Sequence, residues 1–168
     1  MAAPDPAASP RDAFIGLGAN LGDRALQIER ACADIAALPT TALVARSALY
    51  ASAPLAAPGG EYLNAVARVR TSLAPLDLLR ALQAIETRHG RVRPFAGAPR
   101  TLDLDLLLYD DLVLASDALT LPHPRLHERA FVLVPLAEIA PDLSIPGRGR
   151  VADLRHAVAA QRVAKLDR

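Results

Sequence analysis

The stretch Arg100-Thr101-Leu102-Asp103-Leu104-Asp105-Leu106-Leu107-Leu108 alternates polar and apolar residues over most of its length, the pattern of a half-buried β-strand. That period puts Asp103 and Asp105 on one face. Leu102, Leu104, Leu106 and Leu108 fall on the other, toward a core. Two strand rises separate the two Asp Cα atoms, about 6.6 Å. Neighbouring carboxylates repel unless a cation lies between or above them. Hard oxygen ligands on a rigid strand suit Mg²⁺, which takes one or two carboxylates and keeps water and substrate phosphates in its other positions.

Upstream, Arg88 to Arg100 carries Arg88, Arg91, Arg93 and Arg100 and no acid, around a Pro/Gly/Ala loop at 94–99. Downstream, Asp103 to Asp111 holds four Asp and no base. A polyphosphate–metal complex needs both parts: carboxylates for the metal and guanidinium forks for phosphate oxygens. The plain alternative is an edge-strand Asp pair in water beside a solvated charge run. A bare D-x-D is common, and the adjoining Arg loop is what counts against that alternative.

Outward from this strand the order of elements emerges. Ala13 to Gly18 reads as a buried strand. Asn20 or Asp23 can cap the helix that follows, with Leu26, Ile28, Ala31, Ile35 and Leu38 on its stripe and Pro39 at its stop. Leu43 to Ser52 reads as a second strand, and Tyr62 to Thr71, with clean alternation, as a third. Pro75 opens a second helix that ends near His89 and Gly90. With the Asp strand this gives βαββαβ, the ferredoxin-like arrangement. Further helices are expected from Arg129 to about Ile139 and from Val151 to Arg162, where they can cover the second sheet face. The expected class is α+β: an antiparallel sheet with helices on both faces, three layers α/β/α. Residues 1–12 read as a disordered tail and 13–168 as a single domain.

Composition narrows the partners. Net charge is +1 and the basic residues are nearly all Arg, Lys165 being the one Lys, so nucleic acid is not expected. The one Cys, Cys32, lies in an apolar helical pattern and implies no oxidising compartment. No run approaches a membrane span and the start lacks a signal-peptide pattern. A cytoplasmic monomer is the expectation.

Other constellations are weaker. Gly16, Gly18 and Gly22 do not have G-x-G-x-x-G spacing and read as a tight strand-to-helix turn. His123 and His127 are four apart, but Pro122 and Pro124 argue against a helix there, and no third zinc ligand is evident. Asn64 should share a strand face with Tyr62, placing an aromatic surface beside an amide, which can hold a flat heterocycle.

Several strings in order resemble one family. They are Gly18-Ala19-Asn20-Leu21, Tyr62-Leu63-Asn64-Ala65, Gly90-Arg91-Val92-Arg93, Gly97 to Asp105, Leu121-Pro122-His123 and Arg129 to Leu136. Together, over roughly residues 13 to 145, they resemble 6-hydroxymethyl-7,8-dihydropterin pyrophosphokinase, an enzyme of folate biosynthesis. The resemblance implies transfer of a diphosphate from ATP to the pterin's hydroxymethyl oxygen, with release of AMP. It implies two Mg²⁺ ions on Asp103 and Asp105, and Arg91 and Arg100 as triphosphate-binding catalytic arginines. Gln83, Glu86, Arg93, His123 and Arg129 match nucleotide-side positions, and Leu106 and Thr120 match positions near the adenine. Tyr62 and Phe131 would sandwich the pterin and Asn64 read its ring edge, with Gly18, Ser52, Ala53 and Leu55 completing the pocket. Two departures stand out: the Arg loop is one residue shorter and has Gly97 where the family's Trp falls, and Pro124 replaces a Tyr often found after the motif His. Two other classes compete on the residues alone. A D-x-D nucleotide-sugar transferase would need a doubly wound sheet. A ferredoxin-like sensing module would leave the Asp pair facing an Arg loop unexplained.

Overall fold

In the computed structural model, which describes residues 9–52, 61–90 and 102–166, β1 spans Arg11–Ala19, α1 Arg24–Ala36, β2 Thr41–Arg46, β3 Tyr50–Ser52, β4 Tyr62–Thr71, α2 Pro75–Arg88 and β5 Asp103–Tyr109. The rest of the chain adds a hairpin of β6 (Leu114–Ala115) and β7 (Thr120–Leu121), α3 (Ala130–Ile139), a hairpin of β8 (Ser144–Ile145) and β9 (Gly149–Arg150), α4 (Val151–Ala157) and β10 (Val163–Lys165). The main sheet runs β10-β3-β4-β1-β5, with β2 also paired to β4. Every pairing in it is antiparallel. This is the expected ferredoxin-like core, and it removes the doubly wound alternative, whose strands are parallel.

Local chemistry sets the elements. Asp23, rather than Asn20, caps α1: its Oδ1 accepts the Leu26 N–H at 3.1 Å. Pro75 occupies the first turn of α2, where its missing N–H costs nothing. Gly90, at φ +81°, lets the chain turn out of that helix. The stripe Ala25, Ile28, Ala31, Cys32 and Ile35 of α1 and the stripe Leu78, Leu82 and Ile85 of α2 bury against Ala13, Ile15, Leu17, Leu63, Ala65, Leu104 and Leu106. Burial pushes the Cys32 thiol up to about 11. On the opposite face α3 and α4 close a second core of Phe14, Val66, Leu107, Leu108, Val132, Leu133, Leu136 and Val151.

The sequence reading needs four corrections. First, β1 begins at Arg11, inside the segment read as tail. Asp12 pairs with Arg70 across the ladder, its carboxylate takes the Arg68 Nη2 at 2.7 Å, and Arg11 meets Asp110 at 3.1 Å. Second, Leu43 to Ser52 is two strands. After Arg46 the chain leaves the ladder at Ser47, whose N–H donates to Val66 O and whose Oγ accepts the Val66 N–H, both at 2.9 Å. β2 and β3 therefore lie end to end along one edge of β4. Third, Leu108 does not join Leu102, Leu104 and Leu106. Ile15 pairs with Leu106 and Phe14 with Leu108, so Leu107 is an extra residue on β5. That bulge resets the alternation and sends Leu107 and Leu108 into the second core. Fourth, the helix from Val151 ends at Ala157, and the chain continues into β10 on the outer edge of β3. Among the described residues no helix is long and apolar enough to cross a membrane.

Candidate functional site

One row across the sheet assembles the centre of the site. Tyr50 on β3 pairs with Asn64 on β4, Asn64 with Gly18 on β1, and Gly18 with Asp103 on β5. In the next position along β5, Asp105 pairs with Gly16. Asp103 and Asp105 are therefore half-buried neighbours on the face that carries Val66 and Leu107, as the alternation requires. A Cβ at Gly18 would stand 3.4 Å from Asn64 Oδ1 and 4.0 Å from Asp103 Cβ. The missing side chain leaves an open floor between an amide and a carboxylate.

Asn64 is buried and oriented. Its Nδ2 donates to Ser52 Oγ at 2.7 Å, with Tyr50 O at 3.5 Å, so its Oδ1 is the atom turned to the floor at Gly18. A ring N–H arriving there would meet an acceptor already fixed in place. Tyr62 is half-buried on the same strand two residues away, and Phe131 is half-buried in the first turn of α3. The Arg129 guanidinium sits 5.5 Å from the Phe131 ring centroid.

Beside the carboxylates stands His123. Its N–H donates to Leu107 O at 2.9 Å, and its Nδ1 accepts the Arg125 N–H at 3.2 Å. The neutral ring thus carries its proton on Nε2, the nitrogen left free to donate. Burial holds the His123 pKa below the usual range; Asp105 opposes that shift, and Arg129 and Arg125 add to it. Glu86 on α2 is buried and accepts the N–H of Leu104, the residue between the two Asp, at 2.9 Å. It fixes the outer rim of β5, where no further strand of the sheet lies among the described residues.

The remaining expectations divide. Gln83 is exposed on α2 and Thr120 exposed on β7. The Leu106 side chain is buried in the core with α1 and α2, which leaves its backbone as the part that can face a nucleotide. Arg91, Arg93, Arg100, Ala53 and Leu55 lie outside the described residues. Among the described residues no three acid, His or Cys side chains form a metal cage, zinc at His123 and His127 included. Two half-buried carboxylates on one strand face still fit Mg²⁺, which takes one or two carboxylates and completes its shell with water and phosphate oxygens.

Sequence reasoning missed three supports. Gln161 brackets Arg129: its Oε1 accepts the Ala130 N–H at 2.9 Å and its Nε2 donates to Glu128 O at 2.8 Å. It caps α3, which has no capping side chain of its own at Arg129. Glu138 joins α3 to the β3 segment, accepting the Tyr50 hydroxyl and the Ala48 N–H. Asn20 is buried, and among the described residues neither of its amide atoms has a hydrogen-bond partner; its place in the Gly18-Ala19-Asn20-Leu21 string was the signal available.

With this geometry, the comparisons fall into line. The family model for 7,8-dihydro-6-hydroxymethylpterin-pyrophosphokinase matches residues 14–141. The chain belongs to this pyrophosphokinase family. The 2-amino-4-hydroxy-6-hydroxymethyldihydropteridine pyrophosphokinase of Pseudomonas aeruginosa is 46% identical over 154 residues, covering 91% of this chain and 95% of the relative. The Haemophilus influenzae pyrophosphokinase is 43% identical over 156 residues, covering 92% and 98%. Among solved structures, a chain described as HPPK-DHPS in complex with substrates aligns with TM-score 0.72 at 11% identity, over 89% of this chain and 43% of its own length. Wild-type Plasmodium falciparum HPPK-DHPS gives TM-score 0.72 at 13% identity, over 93% and 42%. These two chains share the pyrophosphokinase fold, and this chain spans under half of either.

Proposed function

We propose that this pyrophosphokinase-family chain transfers the terminal diphosphate of ATP to the hydroxymethyl oxygen of 6-hydroxymethyl-7,8-dihydropterin, releasing AMP, in folate biosynthesis, as a cytoplasmic monomer. The observation that carries the reading is the row Asn64–Gly18–Asp103, which sets a side-chain-free floor between an oriented amide and a pair of strand carboxylates.

On that floor Asn64 Oδ1 accepts from the pterin edge, while Tyr62 and Phe131 cover the two ring faces. The substrate's hydroxymethyl arm then points across Gly18 to β5. Ser52 keeps Asn64 from rotating, so the ring is aligned before reaction and little orientation is left to chance. On the nucleotide side His123 donates from Nε2, and Arg129 stands over Phe131 at the junction of the two ligands. Arg91, Arg93 and Arg100 supply the guanidinium groups for the triphosphate. Asp103 and Asp105 would hold Mg²⁺, which would supply neutralisation of phosphate charge at this end of the floor. Attack falls on the β-phosphorus, so these residues contribute position and charge balance rather than a covalent step.

The test is the product. Incubation with ATP, Mg²⁺ and the hydroxymethyl-dihydropterin should yield AMP in step with the pterin diphosphate. Omitting the pterin, or adding EDTA, should stop it. ADP as the product would make the chain an ordinary kinase; ligand binding without turnover would make it a sensing module.

A further inference from the structure

Phe131 and Glu138 are seven residues apart on α3, two helical turns, and so lie on one stripe of the helix. Phe131 begins that stripe, in the first turn of α3, and is the residue assigned above to one face of the pterin. Glu138 ends it with both carboxylate oxygens engaged: Oε1 accepts the Tyr50 hydroxyl and Oε2 accepts the Ala48 N–H at 2.9 Å. Lys165 Nζ on β10 lies 3.9 Å from the same Oε1. Tyr50 is buried, and its backbone oxygen faces Asn64 Nδ2. Two residues on, Ser52 accepts the stronger bond from that amide.

The β3 segment needs such an anchor. The ladder is broken at Ser47, and among the described residues a short pairing with β4 and one with β10 hold it in the sheet. We propose that the Tyr50–Glu138 pair is a positioning device for the pterin subsite, locking the helix that carries Phe131 to the strand whose Ser52 and Tyr50 orient Asn64. The inference rests on the pterin pocket proposed above. Neither residue touches the substrate; each acts through Phe131 or Asn64. Burial and the neighbouring Glu138 push the Tyr50 hydroxyl up to about 12, so it stays a donor throughout the working pH range.

The experiment measures two dissociation constants on the full-length chain, with Mg²⁺ present. One is for 6-hydroxymethyl-7,8-dihydropterin beside a non-hydrolysable ATP analogue, and the other is for the analogue alone. Tyr50→Phe, which loses one charge-assisted bond, should weaken pterin binding about tenfold; Glu138→Ala, which loses both of that carboxylate's bonds, should weaken it at least as much, and each should leave the analogue's affinity in place. Glu138→Gln keeps a polar partner for both groups and should restore pterin affinity to within about threefold. Tyr50→Phe preserves the ring's packing and keeps the test open should Glu138→Ala fold poorly. The proposal is overturned if both disruptive variants lower only the melting temperature, or weaken both ligands alike. Phe131→Ala separates the two levels: unchanged pterin binding there would mean that the pocket itself was misplaced, and the device with it.

Discussion

The two faces of the sheet are built on different terms. Under α1 and α2 the apolar core runs the length of β1, from Ala13 through Ile15 and Leu17 to Ala19. On the other face the core stops short. Phe14, Val66, Leu107 and Leu108 are covered by α3 and α4, and Gly16 still lies against Leu107, but Gly18 meets Asn64 and Asp103 instead. One face is apolar along the whole of β1; the other breaks its apolar cover at Gly18, where an amide and carboxylates take its place. A sheet can afford this asymmetry because alternate residues answer to different neighbours.

The sharpest way to break that comparison is at the carboxylates. Asp103→Ala and Asp105→Ala should each lower the rate of AMP formation by about 100- to 1000-fold or more, with an unchanged far-ultraviolet circular dichroism spectrum. Full activity in either variant removes the metal assignment. On the sealed face the expectation reverses. Ile28→Ala, at a position with no exposed surface, should cost about 2–5 kcal/mol in urea unfolding while pterin affinity in the folded fraction holds. A loss of affinity with little loss of stability would mean that the two faces are not independent. The smallest effect, and the most discriminating, belongs to Gly18→Ala. Glycine in a strand interior carries an entropic cost of about 0.5–1 kcal/mol, so alanine should hold stability or raise it slightly. The added methyl, 3.4 Å from Asn64 Oδ1, should weaken pterin binding about tenfold. Binding and stability moving in the same direction would place the floor elsewhere.

What could be seen in the chain before the structure depended on the range of the forces involved. β4 and α2 were legible to the residue because alternation over Tyr62–Thr71 and Pro75 followed by a 3.6-period stripe are local signals. The Leu106-Leu107-Leu108 run has no period, and only the pairing with β1 reveals the bulge. The break at Ser47 is made by bonds to Val66, nineteen residues away. Val158, Ala159 and Ala160 are good enough helix residues to mask the end of α4, which is decided by β10 reaching β3. In the site, Asp103, Asp105, Gly18, Asn64, Tyr62, His123 and Phe131 sit in short strings that can be recognised. Leu106 sits in such a string as well, and the face it occupies belongs to the core. Glu138 and Gln161 were invisible because their partners lie 88 and 31 residues away.

A strand on the rim of a sheet offers its unpaired amides to any passing chain, the usual seed of aggregation. Among the described residues β5 is such a rim, and it carries Asp103 and Asp105. The Glu86 carboxylate already occupies the Leu104 N–H, so an incoming strand would have to displace a buried acid to begin a ladder there. The same contact that steadies the two aspartates therefore guards them against being zipped into a neighbour, and crowded or overexpressed protein should keep this rim to itself.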